Sequence, residues 1–140
     1  MDSAIWAKVH GATTHFPLAL ALCSGALDVT GYVLAARPVG RDLQVGGYWT
    51  MLLGTLGSVP AVASGLLMTK GVVWGHGALR LHHLFVWPAF ALLAALATWR
   101  LVAGPHPARR LFGGYLLGVG VAAGLMSAAG YWGGEMMMAR

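Results

Sequence analysis

Four stretches of the chain contain no charged residue: 11–27, 43–69, 81–99 and 111–134. None alternates apolar and polar positions, so they do not read as the strands of a membrane barrel. Crossing the hydrocarbon core as a helix takes about 20 apolar residues, and each window with its flanks is that long. A helix also satisfies its own backbone hydrogen bonds in lipid. The pattern predicts an all-α integral membrane protein, a single transmembrane domain over 1–140 with helices at about 9–36, 46–70, 77–103 and 108–134.

The separators are short. Ala-Ala-Arg-Pro-Val-Gly-Arg at 35–41 divides the first pair, a loop from Lys70-Gly71 to Gly75-His76-Gly77 the second, and Gly104-Pro105-His106-Pro107 the third. Short links make neighbouring helices antiparallel, which gives an up-down-up-down four-helix bundle. Pro17, Pro60 and Pro88 each remove one backbone donor, so local bends are expected there. Gly114-x-x-x-Gly118, Gly120-x-x-x-Gly124 and Ala61-x-x-x-Gly65 are small-residue rows, expected to let helix backbones approach closely.

Composition agrees with this picture. The chain is 58% hydrophobic and 9% charged, against about 25% charged in ordinary globular proteins. A net charge of +5 would suggest nucleic acid in a soluble protein, but the bases stand singly at helix ends, which excludes that partner. Arg37, Arg41, Arg109 and Arg110, with Arg100 nearby, outnumber Lys8, Lys70, Arg80 and Arg140 at the other end. That bias turns loops 37–45 and 104–107 to the cytoplasm of a bacterial inner membrane and leaves both termini outside, in the periplasm. No cleavable signal peptide is evident. The lone Cys23 excludes an internal disulfide and a Cys-rich metal or iron–sulfur site.

The histidines carry the chemical information. His10 and His15 begin the first helix, and His76, His82 and His83 lie at or near the start of the third. Those helices run parallel in an up-down bundle, so all five gather at one membrane face with Glu135, while His106 sits at the other. Ionisable residues within a membrane are costly and mark functional sites. Two imidazoles from two facing helices are what a b-type haem requires. His15 and His83 are the expected axial pair, with His10, His76 and His82 as substitutes, and Arg80 would either bind a propionate or snorkel to lipid headgroups. Phe16, Trp74, Phe85, Trp87, Tyr131 and Trp132 would either wall the porphyrin or form an interfacial belt. A second reading is a copper site from His10, His15, His76, Glu135 and Met136–Met138.

One pairing follows from spacing alone. Asp28 lies 18 residues after His10, and Arg100 lies 18 after His82. Eighteen residues make five helical turns, so each charge stands on the stripe of its histidine and both reach similar depth. A structural ion pair between Asp28 and Arg100 is expected, because pairing offsets the cost of each charge in lipid.

His10-Gly-Ala-Thr-Thr-His15-Phe16-Pro17, Asp28, the His-led third span ending in Arg100, and Gly130-Tyr-Trp-Gly-Gly134-Glu135 together resemble the bacterial membrane family called domain of unknown function 2231. The likeness covers nearly the whole chain. Gly11 stands where the family pattern usually has Pro, and Met136-Met137-Met138-Ala-Arg140 replaces a common Val-Tyr-Arg-His-Gly tail, so no role of that tail histidine carries over. The resemblance implies four spans. Some members are joined to Rieske iron–sulfur or cytochrome c modules, which implies membrane electron transfer.

The resulting expectation is a haem b electron-transfer subunit with one haem near the outer face. It would pass electrons between a cytochrome c or iron–sulfur partner and the quinone pool or another redox subunit. No nucleophilic or acid–base constellation is present, so the chain alone is not expected to be a complete enzyme. A cofactor-free anchor or assembly subunit is the remaining alternative.

Overall fold

A computed structural model describes residues 3–138. Arg140, counted in the charge balance, lies outside the described residues, as does the side chain of Met137. The elements are α1 (Ser3–Val33), α2 (Pro38–Met68), α3 (Gly77–Ala103) and α4 (Arg109–Met138), each long and apolar enough to span a bilayer.

Several helices overrun the limits that hydropathy suggests. α2 opens at Pro38 rather than at 46, because Arg37 is extended (φ −109°, ψ 146°) and Pro38 occupies the first turn. A proline there has its φ already set for the helix, and its missing N–H would have had no partner in any case. α1 begins at Ser3 rather than 9, and α4 continues past Glu135 to Met138. Apolar windows mark what hydrocarbon requires, and the helices run on past them.

The tightest packing joins α1 to α2. Buried α2 residues fall at Gly40, Gln44, Gly47, Met51, Gly54, Ser58, Ala61 and Ser64, largely alternating steps of four and three. A seven-residue period of this kind keeps one seam against the partner helix along its length. Every seventh residue is Gly or Ala, and α1 rests its backbone on that row. A Cβ on Gly54 would lie 3.1 Å from Leu20 Cβ and 3.3 Å from the Ala21 nitrogen, and one on Gly47 would collide with the Asp28 carboxylate. Gly47→Ala is therefore expected to cost about 1–3 kcal/mol by overpacking. Thermal unfolding in detergent micelles checks this against Gly124→Ala, where nothing lies within 4 Å. Equal midpoints for the two variants would refute it.

The α4 glycine rows behave otherwise. Gly118 meets Leu96, but Gly114, Gly120 and Gly124 face open space. They do not form a seam within the chain, and the working seam is the α2 row.

α3 packs chiefly on α4, and the two hairpins touch more sparsely, α1 against α4 and α2 against α3. α1 and α3 are thus parallel and diagonal. Met51, Leu93, Leu96, Phe112, Tyr115 and Val119 belong to the apolar core, weighted toward loops 34–37 and 104–108. Toward the other end, His83 apart, the buried positions carry short side chains: Ser58, Ala61, Ser64, Ala89, Ala122 and Ala129. Outside, Leu56, Val102 and Leu117 are largely exposed, as lipid contact requires.

Candidate functional site

Two polar layers stand on the diagonal helices. In the loop-side layer, Arg100 Nη2 donates to Asp28 Oδ1 at 2.9 Å, with both side chains fully buried. Tyr115 donates to Asp28 Oδ2 at 3.0 Å, and Ser24 Oγ reaches the same oxygen at 3.4 Å. Arg100 Nη2 also donates to the Gln44 carbonyl at 2.9 Å. The guanidinium carbon lies 5.6, 5.1 and 5.2 Å from the ring centroids of Tyr48, Phe112 and Tyr115. All four helices therefore contribute to one clasp, which desolvates the ion pair and encloses its cation in aromatic faces. Sequence spacing pointed to the pair; Tyr115, Gln44 and Ser24 carried no comparable signal.

The second layer follows from the first. Because the two charges touch and each lies 18 residues from its histidine, His10 and His82 stand at a common depth about 27 Å away along parallel helices. Each imidazole has the same kind of seat. His10 Nδ1 lies 2.9 Å from the Ala61 carbonyl and 3.3 Å from Ser64 Oγ, and its ring covers Gly65, where a Cβ would come within 3.0 Å. His82 Nδ1 lies 2.7 Å from the Ala129 carbonyl, and its ring covers Gly133 at 3.4 Å. In each hairpin, the neighbouring helix supplies a carbonyl and, one turn later, a glycine. A carbonyl can only accept, so Nδ1 holds the proton and Nε2 of the neutral ring keeps its lone pair. Neither Nε2 has a hydrogen-bond partner among the described residues.

This likeness extends along the hairpins. Displaced by 72 residues, Pro17, Ala21, Ser24 and Asp28 of α1 correspond to buried Ala89, Leu93, Leu96 and Arg100 of α3. Displaced by 68, Gln44, Gly47, Met51, Gly54 and Ala61 of α2 correspond to buried Phe112, Tyr115, Val119, Ala122 and Ala129 of α4. The chain is an internal repeat of burial pattern with little identity between the copies.

The other candidates are placed differently. His15 and His83, the expected axial pair, are not brought together. His15 is exposed, and its Nδ1 turns back to the Gly11 carbonyl of its own helix at 2.6 Å. Five residues of helix rotate it about 140° from His10, which takes it off the inner face. His83 is 6% exposed, its Nδ1 lacks a partner, and its ring centroid lies 5.7 Å from that of His82. His76 is exposed at the N-cap of α3, and His106 approaches the Arg41 carbonyl at the opposite end. Arg80 lies on the outward stripe of α3 with exposed Leu84, Pro88, Ala91 and Ala95, apart from the seats, so it does not stand as their propionate partner. Phe16, Trp74 and Tyr131 are also exposed. Among the described residues no three His, Cys, Asp or Glu converge as a metal-binding group.

No curated protein and no solved structure matches the chain. The family model described as a predicted membrane protein, DUF2231, matches residues 7–140. Four apolar helices, no strand among the described residues and a match across nearly the full length agree: the chain belongs to the DUF2231 family of predicted membrane proteins.

Proposed function

We propose that this protein is a membrane electron-transfer subunit that carries one haem b between α1 and α3, ligated by Nε2 of His10 and Nε2 of His82. The observation that carries the reading is the matched pair of seats. Each Nδ1 is committed to a carbonyl of the neighbouring helix, which fixes the tautomer, orients the ring and raises the basicity of the remaining nitrogen. The short side chains that fill the histidine end of the bundle, against the bulky ones at the loop end, are consistent with a flat cofactor there.

When bound, the haem supplies reversible one-electron chemistry. The chain's own residues do the rest. Ala61 and Ala129 hold the ligand protons, Gly65 and Gly133 let the rings lie flat on the backbone, and the Asp28–Arg100 clasp fixes the relative height of α1 and α3. Small residues at Gly114, Gly120 and Gly124 leave an outward face of α4 on which a helix of another subunit can pack. In this reading the membrane is the bacterial cytoplasmic membrane, the termini are periplasmic, and a cytochrome c or iron–sulfur partner on the outer face and quinone would be the redox partners of a subunit so loaded.

The test is optical. Protein purified from haem-replete cells should show Soret and α bands on reduction, with about one porphyrin per chain. Colourless, metal-free protein overturns the reading, and tight co-purification of other membrane chains would then indicate an anchor subunit. Copper at near-unit stoichiometry without porphyrin would instead indicate a histidine-bound metal.

A further inference from the structure

Beside the N-terminus of α3, on the outward face and away from both seats, the loop between α2 and α3 frames an open groove of about 800 Å³. Trp74, His76, Arg80, Leu81 and Leu84 line it. We infer that this groove holds the headgroup of an anionic phospholipid, with Arg80 as its principal contact.

The argument starts from the loop. Trp87 Nε1 donates to the Val73 carbonyl at 3.0 Å, which ties the loop to α3 one residue before Trp74. Gly75 then turns with φ +59°, and a Cβ there would meet Leu79 at 2.5 Å, so the rim keeps its shape only with glycine. Polarity is graded along the groove. Arg80 and His76 stand at the rim with Trp74, which is 54% exposed, and Leu84, 50% exposed, lies one turn deeper along α3. That order matches a lipid molecule: charged head, interfacial ring, acyl chain.

Charge selects the lipid. Among the described residues the single ion pair is Arg100 with Asp28, so Arg80 has no acidic partner among them. The first turn of α3 contains no acid. A guanidinium free to make paired hydrogen bonds fits a phosphate. The anionic headgroup is preferred to a zwitterionic one because the groove's ionisable side chains, Arg80 and His76, are both basic and no carboxylate lines it to neutralise a choline or ethanolamine cation.

Native mass spectrometry of the full chain in mild detergent tests the assignment with phosphatidylglycerol and phosphatidylcholine as probes. One phosphatidylglycerol should be retained in preference to phosphatidylcholine. Arg80→Ala should weaken that retention about fivefold, the effect of losing one basic residue near a membrane surface. Arg80→Lys should keep much of it, and Arg110→Ala, at the other end of the bundle, should change nothing. Equal retention by Arg80→Ala, equal binding of both lipids, or a quinone in place of the phospholipid would overturn the inference. The readout involves no haem, so the outcome is independent of the reading of the histidine seats.

Discussion

Arg100→Met is expected to destabilise the protein by about 3–5 kcal/mol, because it removes one member of a buried, hydrogen-bonded ion pair. Without the guanidinium, Asp28 keeps Tyr115 at 3.0 Å and a long contact from Ser24 at 3.4 Å, and it has no exposure to water. The Gln44 carbonyl loses its donor in the same step. Asp28→Ala should harm the protein comparably by stranding the cation. The double variant Asp28→Ala/Arg100→Met should be more stable than the sum of the two losses predicts, since it removes both charges together. Denaturant unfolding in mixed micelles, followed by far-ultraviolet circular dichroism, measures all four corners of this cycle. Strict additivity, or a loss of less than about 1 kcal/mol for Arg100→Met, would show that the clasp does not couple the hairpins. Because the pair is fully enclosed, the coupling should also resist added salt, unlike that of a surface pair.

What could be read from the sequence divides along physical lines. Hydropathy reports the solvent around a segment, so four uncharged windows sufficed for the helix number and the alternation of direction. It does not report where a helix stops once it leaves the hydrocarbon, which is why Pro38 and Ser3 precede the expected starts. Equal spacing of His10 to Asp28 and of His82 to Arg100 was legible because helical rise is uniform. The internal repeat was much less so, because its copies share burial and not chemistry: Asp28 corresponds to Arg100, and Gly47 to Tyr115.

Glycine rows misled for a related reason. Small residues permit close approach without saying which helix approaches. Gly47 and Gly54 take α1, whereas Gly120 and Gly124 take nothing within the chain. Rotation about a helix axis was the other weak point. Counting at 100° per residue separates His10 from His15 but leaves open which of them faces the neighbouring helix. That choice depends on where α2 offers a carbonyl and a glycine one turn apart, a tertiary fact held in Ala61 and Gly65 rather than in α1.

Replacing either seated histidine is the second change with a large expected effect. Under the haem reading, His10→Gly or His82→Gly should abolish the six-coordinate reduced spectrum, and adding free imidazole should restore it, since a small ligand can occupy the space the side chain vacates. His15→Ala should leave the spectrum and porphyrin content intact, because that ring bonds its own helix and faces outward. His83→Gln should also retain haem, as its orphaned Nδ1 leaves it without the carbonyl-held orientation that the two seats share. The seats themselves can be probed without touching a ligand. A side chain at Gly65 would displace the His10 ring, whose Cε1 lies 3.0 Å from where a Cβ would stand, so Gly65→Val should lose haem while His10 remains. Spectra recorded on this set discriminate sharply. Loss in His15→Ala with retention in His10→Gly would move the iron to the other histidine of α1, and would sink the claim that a carbonyl and a glycine on the adjacent helix select the ligand.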